Sequence, residues 1–279
     1  YEVALKHRLA LRDVANEKTD AEAALADVYL MVGGAWFCLR DEDAARKNYD
    51  LALEISERLA QENRDQRDIQ RNLGFALQRY GDLDLRTNRF REAHEKYARA
   101  RDIYQQLVQE DPEVTEYQDD LARANYDLGN VALREKNPKE AENCFRLSLK
   151  TRKERADADP DDLSAKKNYM TALARCGEHV AATKIADEIL KVMEDGDSLI
   201  EAANCYAVSA GAAEKDRNVQ RTYLLGCLEA LQKAVGKGYR NIVNLETEPD
   251  LDSVRQKPEF QAFLAELRKT LTVKGASGT

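Results

Sequence analysis

The stretch RFREAHEKYARARDIY, residues 89–104, places Ala93, Tyr97 and Ala100 at i, i+4 and i+7, one stripe of an α-helix. The same small–aromatic–small stripe stands one fixed interval earlier as Ala45, Tyr49 and Ala52, and the same interval later as Ala141, Phe145 and Ser148. Twelve positions before each stripe lies a glycine: Gly33, Gly81 and Gly129. A glycine lets two helices approach closely, and a stripe of small and aromatic side chains on the second helix fills the gap. Four positions repeated in three copies define a helix–turn–helix unit with a 48-residue period.

A glycine followed by A-x-x-x-[FY]-x-x-[AS] resembles the tetratricopeptide repeat (TPR), a helix pair of about 34 residues. The family's aromatic three positions after the glycine is present as Trp36, but Asp84 and Ala132 replace it in the next two units. Pro112 and Pro160 fall nineteen positions after Ala93 and Ala141, against roughly twelve in the family. The second helix is therefore longer by seven, and the first helix must carry the other seven. Seven residues is close to two turns, so the facing stripes keep their register. The apolar stripe continues through Ile55 and Leu59, and through Ile103 and Leu107. The resemblance implies an all-α, right-handed superhelix of antiparallel helix pairs, here with helices of roughly 20 residues and roughly 30 Å.

The frame extends in both directions. Tyr1 and Ala4 lie one full period before Tyr49 and Ala52, so the chain is expected to start inside the second helix of a repeat and to be cut from a larger protein. Pro160 and Gly177 lie one period after Pro112 and Gly129, and read as a further first helix. The next stripe, Ala182, Ala186 and Ile189, comes seven positions early, a deletion of two turns. Gly211 lies thirty-four positions after Gly177, with Tyr223, Cys227 and Ala230 in the stripe positions. The expected organisation is an elongated array over 1–195, a standard-length pair over 196–238, a helical cap over 239–273 and a disordered tail over 274–279. Within the cap, Pro249 and Pro258 suggest a short helix near 241–246, one turn at 251–255 and a last helix near 258–273. Phe260, Phe263, Leu264 and Leu267 would dock that helix, because a solenoid must cover its final apolar face.

The cap segment also looks like the closing segment of large bacterial serine/threonine protein kinases that end in TPR arrays. Gly238, Tyr239, Pro249, Asp250, Leu251, Asp252, Arg255, Pro258 and Phe260 match, while Ser253 and Val254 depart. That resemblance implies a parent protein, not an activity of this chain.

Composition supports long helices: 43% apolar, 34% charged, five prolines and thirteen glycines in 279 residues. Helix content is expected at about 70% or more, against a usual one-third. No apolar run reads as long enough to cross a bilayer, and the start YEVALKHRLALRD is unlike a signal peptide. A net charge of −8 disfavours nucleic acid or an anionic membrane as partner. Five widely spaced cysteines without a C-x-x-C pair read as small core side chains of a cytoplasmic protein.

Chemistry is sparse. There is no G-x-G-x-x-G, H-R-D or D-F-G, so no phosphoryl-transfer machinery, cofactor or catalytic residue is expected. Gly33-Gly34 reads as helix packing rather than a phosphate loop. His7, His94 and His179 lie far apart, and HEKYA lacks the second histidine of a metal motif, so no metal site is expected. The remaining candidate is the concave face lined by first helices, with Asp27, Gln78, Arg79, Asp82, Arg123, Tyr126, Asn130, Arg134 and Arg175. Arginine and tyrosine favour interfaces and suit an acidic or extended peptide. The competing reading makes the same arginines solvated salt bridges. Lys139 and Asn143 have the spacing of a chaperone-type carboxylate clamp but fall on a second helix, so that function is unsupported. The sequence thus points to a non-catalytic protein-binding module, with an architectural or oligomerisation rod as the alternative and an enzyme less favoured. A homo-oligomer stays open.

Overall fold

The computed structural model describes residues 18–193 and 195–276. Some 85% of the described residues are helical, and no strand occurs among them. The elements in chain order are α1 (Lys18–Cys38), α2 (Glu42–Glu62), α3 (Arg67–Arg86), α4 (Phe90–Glu110), α5 (Thr115–Arg134), α6 (Pro138–Ala158), α7 (Leu163–Arg175), α8 (His179–Val192), α9 (Gly196–Ala212) and α10 (Arg217–Gly236). The cap follows as α11 (Ile242–Thr247), a 3-10 turn (Pro249–Leu251), α12 (Asp252–Arg255) and α13 (Pro258–Ala276). Two compact units divide at Thr151 and Arg152, inside α6.

In the first unit, helices pair in sequence order. The elongation is real: α1 to α6 have 20 or 21 residues each. The predicted glycine–aromatic contact holds all three pairs. A methyl group on Gly33 would lie 2.7 Å from the Tyr49 ring, one on Gly81 2.7 Å from Tyr97, and one on Gly129 2.5 Å from Phe145. Seven positions up α3 and seven down α4, the added turns make a second such contact, Gly74 against Tyr104 at 2.7 Å. Antiparallel helices move both partners away from the turn together, so a heptad repeats the contact instead of breaking it. Tyr49, Tyr97, Tyr104 and Phe145 are each at most 2% exposed.

The turns inside the pairs share one geometry. Arg40, Asn88 and Lys136, spaced by the repeat period, have φ of 62°, 60° and 59°. Each passes its N–H back three positions, and the next N–H goes back five, as in Asn88 to Leu85 and Arg89 to Asp84. That is the αL helix stop, used here with non-glycine residues.

The fourth turn corrects the sequence reading. Gly177 is not a packing glycine within a helix: it follows the end of α7, has φ +78° and would have nothing near a side chain. It comes seven positions short of a full period after Lys136, so the seven-residue deletion falls within α7. Both α7 (13 residues) and α8 (14 residues) are correspondingly short. The Asp162 carboxylate caps α7 by accepting from the Ser164 and Ala165 N–H groups. In the last pair the contact is inverted. Tyr206 on the first helix lies against Gly226 on the second, at 2.7 Å from an added methyl. Gly211 instead faces Ser253 of the cap.

The cap packs within the second unit. Leu245, Leu251, Val254, Phe260, Leu264 and Leu267 are buried, whereas Phe263 is half-buried beside Phe260 at a ring separation of 6.3 Å. The Ser253 hydroxyl donates to the Ala207 carbonyl, and Arg175 pairs with Asp250. The last helix continues to Ala276, beyond the expected end at 273. The expected repeat start at Tyr1 and Ala4 and the final residues 277–279 lie outside the described residues.

A second correction concerns α1. Residues Thr19–Cys38 form a helix long and apolar enough to cross a membrane. Acidic residues scattered along it hide this run in the sequence. Its Leu25, Ala26, Val28, Leu30 and Val32 are buried, and Arg58 of α2 donates to Glu22 at 3.0 Å.

Candidate functional site

The first helices α1, α3 and α5 present matching positions one repeat period apart: Asp27, Phe75 and Arg123; Met31, Arg79 and Asp127; Gly34, Asp82 and Asn130. Second-helix stripes are consumed in packing, so these positions carry the variation between repeats.

Not every predicted residue is a surface group. Gln78 is buried, accepting from the Tyr104 hydroxyl at 2.9 Å and donating to Asp127 at 2.9 Å. Together with Arg71 to Asp120 at 2.6 Å it ties α3 to α5. Arg175 lies in the second unit and is engaged with Asp250, holding the cap. Tyr126 stacks at a tilt on Phe145 with ring centroids 5.5 Å apart. Arg134 donates to Asn88 at 3.2 Å and lies over the Phe90 ring. Asp27 and Arg123 are exposed.

The centre is Asp82. Its Oδ1 accepts from the Tyr97 hydroxyl at 2.8 Å, and its Oδ2 takes Arg79 Nη1 at 3.1 Å. Burial raises its carboxyl, opposed by the Arg79 charge, the Tyr97 hydrogen bond and the Arg123 charge. Tyr97 in turn is pushed well up, first by burial and then by Asp82. The Asn130 side-chain oxygen is buried without a hydrogen-bond partner among the described residues.

Met31 (49% exposed) and Phe75 (41% exposed) escape the sequence reading. Apolar residues on an amphipathic helix default to core, yet these occupy the same repeat positions as Arg79 and Arg123. The face therefore combines bare apolar side chains with guanidinium groups. Such a set can hold an extended chain through side chains and hydrogen-bond acceptors.

Behind it sits a buried polar cluster at the place of the family's aromatic. Asp84, with no exposed side-chain surface, takes Arg46 at 2.9 Å and Lys96 at 2.7 Å. Lys96 also lies 4.3 Å from the Tyr80 ring centre, and Tyr80 donates to Asp50 at 2.6 Å. Burial and Asp50 push the Tyr80 hydroxyl up to about 12.

No protein-family model matches the chain. No curated protein matches it either. Among solved structures it is similar to BtubC (BKLC) from P. vanneervenii, with a TM-score of 0.59 at 17% identity over 85% of this chain and 90% of that one. A thermophilic TPR protein from Thermus thermophilus aligns at TM-score 0.40 and 18% identity, covering 73% of this chain and 99% of that chain. Pseudomonas aeruginosa pilF aligns at 0.32 and 18%, covering 79% and 100%. The fold is an all-α array of helix pairs.

Proposed function

We propose that the chain is a non-catalytic protein-binding module that takes an extended segment of a partner along the first-helix face of its first unit. The observation that carries this reading is the exposure of Met31 and Phe75 on the face that also bears Arg79, Asp82 and Arg123. Buried apolar anchors flanked by arginine are what dominate protein interfaces. The unbridged cysteines suit a reducing, cytoplasmic setting. On the resemblance of the cap segment, the parent is a bacterial serine/threonine kinase, with this chain recruiting its substrates or regulators.

The test is affinity capture with the whole chain, followed by titration of the purified partner. Charge reversal at Arg79, Arg123 and Arg134 together should weaken binding and slow the on-rate, with the circular dichroism unchanged. Met31→Asp with Phe75→Asp should weaken it further. Unchanged affinity for both sets moves the site to another face. Capture of only its own copies favours the rod.

A further inference from the structure

One position of the repeat is filled in one copy and open in another. In the second repeat Asp82 accepts from the Tyr97 hydroxyl at 2.8 Å and from Arg79 at 3.1 Å. In the first repeat the residue equivalent to Asp82 is Gly34, and the residue equivalent to Tyr97 is Tyr49. The Tyr49 hydroxyl is buried and its proton has no acceptor among the described residues, because the Arg79 guanidinium beside it can only donate. A methyl group on Gly34 would lie 3.7 Å from that hydroxyl and 3.9 Å from Arg79 Nη2, with nothing nearer. One end of the Arg79 guanidinium thus holds Asp82, and its other end borders the open place.

The hydroxyl is not needed for packing. Phe145 fills the equivalent position of the third repeat against Gly129, and it lacks one. A buried hydroxyl whose proton lacks an acceptor is a cost to the fold unless something binds it. Burial pushes the Tyr49 hydroxyl up, with the charge and a hydrogen bond of Arg79 opposing and the Asp82 and Cys38 charges adding, so at neutral pH it stays protonated and can donate.

Resting on the binding-module reading, we infer that Gly34, Tyr49 and Arg79 form a seat for a carboxylate of the bound peptide, which takes the place that Asp82 fills in the next repeat. The seated carboxylate accepts from the Tyr49 hydroxyl and from Arg79 Nη2. The Arg79 side chain, 40% exposed, swings outward to admit it. Asp82 repels the incoming charge, and Arg79 and Arg123 offset that repulsion. The carboxylate is either a side chain of the partner or its C-terminus.

Two measurements on the full chain test this. The first supplies the carboxylate in cis. Gly34→Asp should melt higher than Gly34→Asn, which has similar helix propensity, and the advantage should vanish in a Tyr49→Phe background. The second uses peptides, read by the ring signals of labelled tyrosine. Acetyl-Gly-Glu-Gly-Glu-amide carries only side-chain carboxylates, acetyl-Gly-Gln-Gly-Gln with a free end carries only the terminal one, and its amide carries neither. One acidic probe should bind about fivefold or more tighter than the neutral amide, on the strength of charge-assisted bonds. That preference should be lost in both Tyr49→Phe and Gly34→Asp. Equal melting of the Asp and Asn variants, or acidic binding indifferent to Tyr49→Phe, overturns the seat. A captured partner that still depends on Arg123 but not on Tyr49 also overturns it, and leaves the first-helix face standing as a binding surface without it.

Discussion

Gly33 and Gly34 are neighbours on α1 with opposite surroundings, which makes them a controlled experiment on what sets the helix spacing. Replacing either with alanine removes the same backbone freedom from the unfolded chain, a gain of about 0.5–1 kcal/mol in a helix interior. At Gly34 the new methyl meets only ordinary contacts, at 3.7 Å and beyond, so the gain should survive. At Gly33 it lands 2.7 Å from two carbons of the Tyr49 ring. That ring is 1% exposed and packs in one cluster with Ala45, Ala52 and Tyr80, so it has little room to withdraw. Overpacking of this kind costs about 1–3 kcal/mol. Gly33→Ala should therefore destabilise by up to about 2 kcal/mol while Gly34→Ala stabilises by up to about 1 kcal/mol. The pair should be separated by about 2–12 °C in melting temperature for a chain of this size. Thermal and urea unfolding followed by far-ultraviolet circular dichroism reads the difference, and shared chain and assay cancel most systematic error. Two alanines that shift the midpoint together, in either direction, would show that the glycine–tyrosine contact does not fix the pair.

Other outcomes follow from single features. Lys136→Gly should raise stability by up to about 1 kcal/mol, because lysine at φ 59° crowds its own Cβ. Asn88→Gly should gain less in the same urea titration, since asparagine tolerates that region and its side chain accepts from Arg134. Asp84→Asn should cost about 2–4 kcal/mol by leaving Arg46 and Lys96 without their counter-charge. A cost below measurement error would mean that water already screens the cluster. Glu248 is pushed up to about 7 from its ordinary 4.5, first by burial and then by the Asp250 charge, against a hydrogen bond from the Asp250 N–H and the charges of Arg175 and Arg255. A raised value means the folded chain keeps a proton that the unfolded chain has released. The contribution is therefore full below about 4.5 and is lost as pH rises to about 7, at most about 3 kcal/mol. Melting scans across that window should show the second unit weakening, and Glu248→Gln should flatten the slope.

What the sequence discloses and what it hides follow from the same steric rules. Gly33 with Tyr49, Gly81 with Tyr97 and Gly129 with Phe145 are legible because each contact needs a fixed chain separation, and a 48-residue period preserves it. Gly177 misleads because glycine serves two purposes, close helix approach and left-handed turns, and only the count from Lys136 separates them. Tyr206 against Gly226 escapes because knob and hole can exchange helices without changing the packing, whereas the motif has a direction. Met31 and Phe75 are invisible because an apolar residue gives no sign of which side of its helix lacks a neighbour. The site is the sharpest case. Gly34, Asp82 and Asn130 occupy one repeat position, and each stands before an aromatic residue fifteen positions on: Tyr49, Tyr97 and Phe145. A carboxylate before a hydroxyl closes on itself, a glycine before a hydroxyl leaves the donor unpaired, and an amide before a phenyl ring leaves its oxygen unpaired. The repeat fixes where these groups sit, and the mismatches between its copies decide which of them remain open to a partner.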